Sequence, residues 1–165
     1  MVILGIDPGS RTTGYGLVES DGRSHSVIAL GCLTAPPGAS LSARLAHIYD
    51  GLRAVIAEHR PQEAAVEATF YGKNVRSALV MGHARGVSLL AIEQAGCALF
   101  EYSPLAVKQA VVGQGRAGKG QVAYMIRAML GLKAAPPEDA ADALAVAICH
   151  LQRRRINLLK NAQHV

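Results

Sequence analysis

Tryptophan is absent, and aromatic residues make up only 4% of the chain, five Tyr and two Phe, so an adjacent pair of them is conspicuous. Cysteine is scarce as well. Cys32, Cys97 and Cys149 are odd in number, widely spaced and without a C-x-x-C. They encode neither a disulfide framework nor a zinc knuckle and suit a reducing cytoplasm. No apolar run approaches the ~20 residues that span a bilayer. The longest, Ala143 to Cys149, follows an acid, and Met1-Val-Ile-Leu-Gly-Ile-Asp7 reaches another before any basic segment. Secretion and membrane insertion are therefore not expected. Internal repeats and low-complexity segments are also missing. What is present is a chain of 165 residues, half apolar and 18% charged, which suits one domain with its own core. That domain is expected over 1–155, with a fraying tail over 156–165.

Positive charge is unevenly placed. Residues 1–70 hold five Arg and seven acids, a net −2, whereas residues 71–165 hold twelve Lys and Arg against five acids, a net +7. The basic half implies a surface that meets a polyanion. Nucleic acid ranks ahead of a membrane, because no basic helix with a Trp/Phe/Leu face is evident.

Val2 to Ile6 reads as a buried strand stopped by Asp7-Pro8-Gly9. Two strand-like runs, Gly14 to Ser20 and Ser24 to Thr34, flank Asp21-Gly22, a strong hairpin signal. The chain thus opens with three antiparallel strands. Leu41, Leu45, Ile48, Leu52, Val55 and Ile56 then repeat at helical spacing, with Ser40 as N-cap and Pro61 beyond the end. Ala64 to Ala68 is a second buried strand, Val75 to Ala95 a helix closed by Gly96, and Cys97 to Tyr102 a third. Strand, helix, strand, helix, strand implies parallel pairing through right-handed crossovers. Further helices are expected from Ser103-Pro104 to about Val112, Lys119 to Leu130 and Glu138 to about Arg154. The expected architecture is α/β, a mixed five-stranded sheet with helices on both faces.

Four carboxylates could meet in such a fold. Asp7 closes the first strand, although it could simply open a turn. Glu67 ends the apolar Ala64-Ala-Val66 strand, where an acid is costly unless paired, protonated, metal-bound or exposed at the strand end. Asp139 and Asp142 are three apart, on one face of a helix. The helix dipole alone would explain Glu138 and Asp139 but does less for Asp142, which lies deeper beside an apolar run. If the strands of Asp7 and Glu67 pair, the last helix can bring its Asp pair to the same edge. Oxygen donors without His or Cys suit Mg²⁺ or Mn²⁺ rather than zinc. Beside a basic half, the matching chemistry is two-metal phosphodiester hydrolysis.

The motifs Ile3-Leu-Gly-Ile-Asp-Pro-Gly-Ser10, Thr13-Gly-Tyr-Gly16, Val66-Glu67 leading to Phe70-Tyr71-Gly-Lys-Asn-Val-Arg-Ser-Ala-Leu79, Gly82-His-Ala-Arg-Gly86, Val107-Lys-Gln-Ala-Val111 and Asp139-Ala-Ala-Asp-Ala-Leu-Ala-Val-Ala147 occur in order. Together they resemble the bacterial RuvC Holliday-junction resolvases, over about residues 2 to 152. The resemblance implies a ribonuclease-H-like fold and an endonuclease making paired symmetric nicks in four-way DNA junctions during recombination and repair, with 5′-phosphate products. It implies Asp7, Glu67, Asp139 and Asp142 as catalytic ligands of Mg²⁺ or Mn²⁺, two ions per site. Lys108 and Lys119 would contact phosphates and Phe70 would stack at the junction, with Tyr71 beside it and Lys73 and Arg76 near the DNA backbone. It further implies a homodimer, joined through the small-residue stripe Ala78, Gly82 and Gly86, and a partnership with the RuvA–RuvB branch-migration complex. A non-catalytic nucleic-acid binder of the same fold is the alternative.

Other motifs lack their context. Gly113-Gln-Gly115-Arg-Ala-Gly118 fits a dinucleotide fingerprint but follows a helix, not a strand, and Gly120 stands where a P-loop needs Ser or Thr. Ile6 to Gly14 is similar to the phosphate loop of actin-like ATPases, which need a second such domain. His47, His59, His83 and His150 fall in predicted helices and read as surface or packing residues.

Overall fold

In the computed structural model, residues 1–68, 74–115 and 118–162 are described, with the backbone alone for Lys119 and 158–162. Three strands open the chain: β1 (Val2–Asp7), β2 (Thr12–Ser20) and β3 (His25–Thr34). They pair antiparallel, Asp7 opposite Gly14 and Thr13 opposite Leu33. The Asp21 carboxylate shapes the β2–β3 turn by accepting from the Arg23 and Ser24 amides, both at 2.7 Å. Helix α1 (Leu41–His59) starts at Ser40, whose Oγ accepts from the Ala43 amide, and ends at Arg60 in the left-handed region, φ 47°. Then follow β4 (Glu63–Glu67), α2 (Val75–Gln94), β5 (Ala98–Tyr102), α3 (Pro104–Val112), α4 (Lys119–Met129) and α5 (Glu138–Ala162).

The sheet order is β3-β2-β1-β4-β5, with β1, β4 and β5 parallel. This is the expected mixed sheet. Strand alternation divides the core in two. Ile3, Val18 and Ala65 pack with α3, α4 and α5 on one face, and Leu4, Ile6, Leu17, Ala64 and Val66 pack with α1 and α2 on the other. The boundaries follow the caps and turns closely, with one difference. Helix α5, expected to end near Arg154, continues to Ala162 across part of the segment expected to fray. No Gly or Pro follows Arg154 to stop it.

Three glycines set the seat of α5. Gly5 pairs with Gly16 across β1 and β2, next to the Asp7–Gly14 pair. A Cβ on Gly5 would strike the Ala143 carbonyl, one on Gly14 the Asp139 carbonyl, and one on Gly16 the Leu144 side chain. The helix backbone thus rests directly on the strands, a close approach that glycine alone allows. A polar group of four ties the other end of α5 to the sheet. Buried His150 sits between Tyr102 Oη (2.7 Å from Nδ1) and Glu63 Oε2 (2.6 Å from Nε2). Arg154 Nε donates to both Glu63 oxygens at 3.2 Å, and Phe100 lies against the His150 ring at 4.5 Å. His150 is therefore a packing residue, as its place in a helix suggested.

Candidate active site

Period-two alternation decides where the strand-end acids go. Ile3 and Gly5 face α5, and so does Asp7; on the neighbouring strand Glu63 and Ala65 face α5, and Glu67 follows them. Ile6 is registered with Val66, so Asp7 and Glu67 leave adjacent parallel strands side by side. The seat of α5 on Gly14 and Gly5 places its first turns beside Asp7. Asp139 and Asp142 therefore enter the same space.

That space is a cleft of about 450 Å³ lined by Asp7, Glu67, Asp139 and Asp142 together with Lys108, Val107 and Val122. All four carboxylate residues predicted from the sequence meet there, each half-buried. Each belongs to a separate support: β1, β4, and two successive turns of α5. Glu138 is exposed in the first turn of α5 and absent from the cleft, as a helix-dipole role requires. A larger cavity, about 620 Å³, opens around Arg53 and Arg60 at the far ends of α1 and α2 without any carboxylate in its lining. Size therefore does not single out the carboxylate cleft.

Thr13, fully buried, fixes the turn after Asp7. Its Oγ1 donates to the Gly9 carbonyl at 2.8 Å and accepts from the Gly9 amide at 3.2 Å. Cys32, opposite Gly14 on β3, borders the same corner. Burial, then the Asp139 and Asp7 carboxylates, push its thiol above the ordinary range, while the Ala140 amide pulls it down. The Cys97 and Cys149 thiols are raised by burial to about 11. All three cysteines are free.

The donor set fits hard divalent ions. Among the described residues no three His, Cys, Asp or Glu side chains close on one point. The described lining of the cleft holds four carboxylate residues and no His or Cys, the oxygen chemistry by which Mg²⁺ is commonly held. Lys108 brings a positive charge from α3, whose start is fixed by Ser103 Oγ accepting from the Ala106 amide at 3.2 Å. Lys119 opens α4, three residues before cleft-lining Val122, and its side chain lies outside the described part. Arg76 is exposed in the first turn of α2. Phe70, Tyr71 and Lys73 lie outside the described residues, in the connection between Glu67 and the α2 N-cap Asn74. The Gly113–Gly118 segment joins α3 to α4, so the dinucleotide fingerprint indeed lacks a strand before it.

Two features escaped the sequence reading. Gly5, Gly14 and Gly16 stood out only as motif letters, although glycines inside strands are a signal of close backbone approach. Arg85 of α2 was also passed over. It borders a small pocket of about 50 Å³ with Asp7, Pro8, Glu67, Ala68 and Met81.

Residues 3–150 match the family model described as crossover junction endodeoxyribonuclease RuvC. The crossover junction endodeoxyribonuclease RuvC of Halorhodospira halophila is 55% identical over 152 residues, 92% of this chain and 90% of that one. Its counterpart from Pelotomaculum thermopropionicum is 52% identical over 151 residues, 91% of this chain and 92% of the relative. Among solved structures, T. thermophilus RuvC in complex with Holliday junction substrate superposes with a TM-score of 0.89 at 36% identity, covering 95% of this chain and 96% of that one. The yeast mitochondrial Holliday junction resolvase Ydc2, at 13% identity and TM-score 0.68, shares the fold.

Proposed function

The chain belongs to the RuvC family of crossover junction endodeoxyribonucleases, and on that premise we propose that the carboxylate cleft nicks two opposed strands of a four-way DNA junction. The observation that carries this reading is the convergence of Asp7, Glu67, Asp139 and Asp142, from three elements, on one open cleft that also holds Lys108. The family's hydrolysis depends on divalent metal; here Mg²⁺ or Mn²⁺, two per site, would be held by these four acids. Bound there, such ions supply an activated water and a counter-charge for the leaving oxygen, and cleavage leaves a 5′-phosphate.

The chain's own residues do the rest. Thr13 and the glycine seat keep Asp7, Asp139 and Asp142 in place, which matters because misplacement by 1 Å can cost a hundredfold in rate. Lys108 and Lys119 meet phosphates near the cut. Arg76 and Lys73 contact the DNA backbone near the cut. Phe70, beside Tyr71, stacks on bases opened at the crossover, a contact of ~1–3 kcal/mol per base. The partner in the cell is the RuvA–RuvB branch-migration complex, and the compartment is the cytoplasm; no described helix is long and apolar enough to cross a membrane.

Paired nicks need two sites, and α2 supplies the surface for a two-fold dimer. Val75, Leu79 and Leu90 are 73%, 61% and 48% exposed. Between them, added Cβ atoms on Gly82 and Gly86 would meet nothing within 4 Å. Among the described residues, packing within the protomer therefore does not account for these small residues.

The test compares nicking of a four-way junction with that of a linear duplex of the same sequence, with and without Mg²⁺ or Mn²⁺. Asp7→Asn is expected to abolish nicking while keeping or strengthening junction binding, since it removes a ligand and a negative charge near phosphates. Unimpaired cutting by Asp7→Asn would refute the site. A wild-type protein that binds junctions and cuts nothing under any metal would support the non-catalytic alternative.

A further inference from the structure

Arg85 enters the site region from the face opposite α5. Leu99 and Glu101 of β5 lie on the α2 side of the sheet, while Phe100 and Tyr102 meet His150 on the α5 side. On the α2 side, Arg85 Nη2 contacts Glu101 Oε2 at 2.5 Å, with the Arg85 side chain 19% exposed. Its Nε is buried and has no hydrogen-bond partner among the described residues. The same side chain borders the small pocket with Asp7 and Glu67, and that pocket shares Asp7, Pro8, Glu67 and Met81 with the main cleft.

A buried guanidinium donor without an acceptor is costly, so an acceptor is called for. The pocket's volume, about 50 Å³, admits one small group such as a water or a single phosphate oxygen, and excludes a small-molecule ligand. Two acids already line it, so an incoming phosphodiester meets repulsion there, which a fixed cation would offset. Arginine suits this task better than lysine, because its planar fork can give one edge to Glu101 and another to a phosphate. We propose that Arg85 is a further DNA-contacting residue of the cleft, held by Glu101 and meeting a backbone phosphate on the Glu67 side. The proposal rests on the reading of the cleft as the place where DNA is cut.

Salt dependence separates a phosphate contact from an internal tie between α2 and β5. Affinity for a labelled four-way junction is measured against salt without divalent metal, where nothing is cut. Arg85→Met is expected to lower the slope of log affinity against log salt by about 1. Glu101→Gln should keep the wild-type slope, because the cation remains. Arg85→Met combined with Glu101→Gln removes both charges of the pair, so no carboxylate is left without its cation, and this variant should fold where the single one does not; its slope should also drop by about 1. A wild-type slope in the folded Arg85 variants overturns the proposal, as does an equal drop in Glu101→Gln alone. Failure of the cleft itself would appear separately, as full nicking by Asp7→Asn.

Discussion

Glu63 shows what a single carboxylate does when a strand and a helix share it. Burial raises its carboxyl, but the hydrogen bonds from His150 and Arg154, with their charges, outweigh burial and hold the value below the ordinary 4.5. A folded value below the unfolded one favours folding wherever the unfolded group is already ionised. The contribution is thus complete above pH 4.5 and disappears as the pH falls from there through the lowered folded value. Glu63→Gln should lower stability at neutral pH by ~1–3 kcal/mol, the range for a hydrogen-bonded group with a charged partner. Denaturant titrations of both proteins from neutral to acid pH should show that gap closing as wild type loses its advantage. A gap that stays constant across the acid limb would show that Glu63 carries no charge-dependent stability. The same pair holds β4 to α5, so one acid of the strand anchors the helix and the other, Glu67, reaches the cleft.

At the scale of elements, the site depends on where α5 lies, and α5 lies where glycine lets it. Gly14→Ala puts a methyl against the Asp139 carbonyl, which is backbone and cannot swing away. The helix must lift, at ~1–3 kcal/mol for overpacking, and Asp139 lifts with it. The expected result is a modest fall in melting temperature with a disproportionate loss of nicking, and near-normal junction binding; nicking that falls only as far as stability does would refute the seat. Strand glycines signal that some backbone comes close, but that it is α5, and that Glu63 meets His150 and Tyr102, was not visible in the sequence, because each needs a partner from a distant element. Helix starts were visible, since Ser40 and Ser103 satisfy amides three residues on, a wholly local event. Asp7 and Glu67 were visible for another reason, as acids closing short apolar strands. Arg85 was not, because its relation to them runs through α2 on the opposite face. The end of α5 was misjudged since residues after Arg154 carry neither a helix stop nor a long apolar run.

At the scale of the whole molecule, one cleft on one protomer cuts one strand, and symmetric resolution needs a second cleft at a fixed distance and orientation. In a two-fold dimer the same surface is used twice, so a residue near the axis meets its own copy. The α2 face suits this: Leu79 is 61% exposed, and the open surfaces of Gly82 and Gly86 allow two helix backbones to approach closely. Leu79→Glu removes an exposed side chain, so the protomer should fold and melt as wild type does. In the proposed α2-to-α2 dimer, however, it would set two carboxylates against each other in an apolar interface, a repulsion with a desolvation cost. The variant is expected to sediment as a monomer at concentrations where wild type is expected to be a dimer. On a supercoiled plasmid bearing an extruded cruciform, it should yield nicked circles, because release of torsion after one cut removes the junction before a second protomer arrives. Wild type should yield linear product from two cuts within one bound complex. A Leu79→Glu protein that remains dimeric and linearises the plasmid would move the interface elsewhere, and a monomeric variant that still linearises it would show that paired cutting needs no dimer.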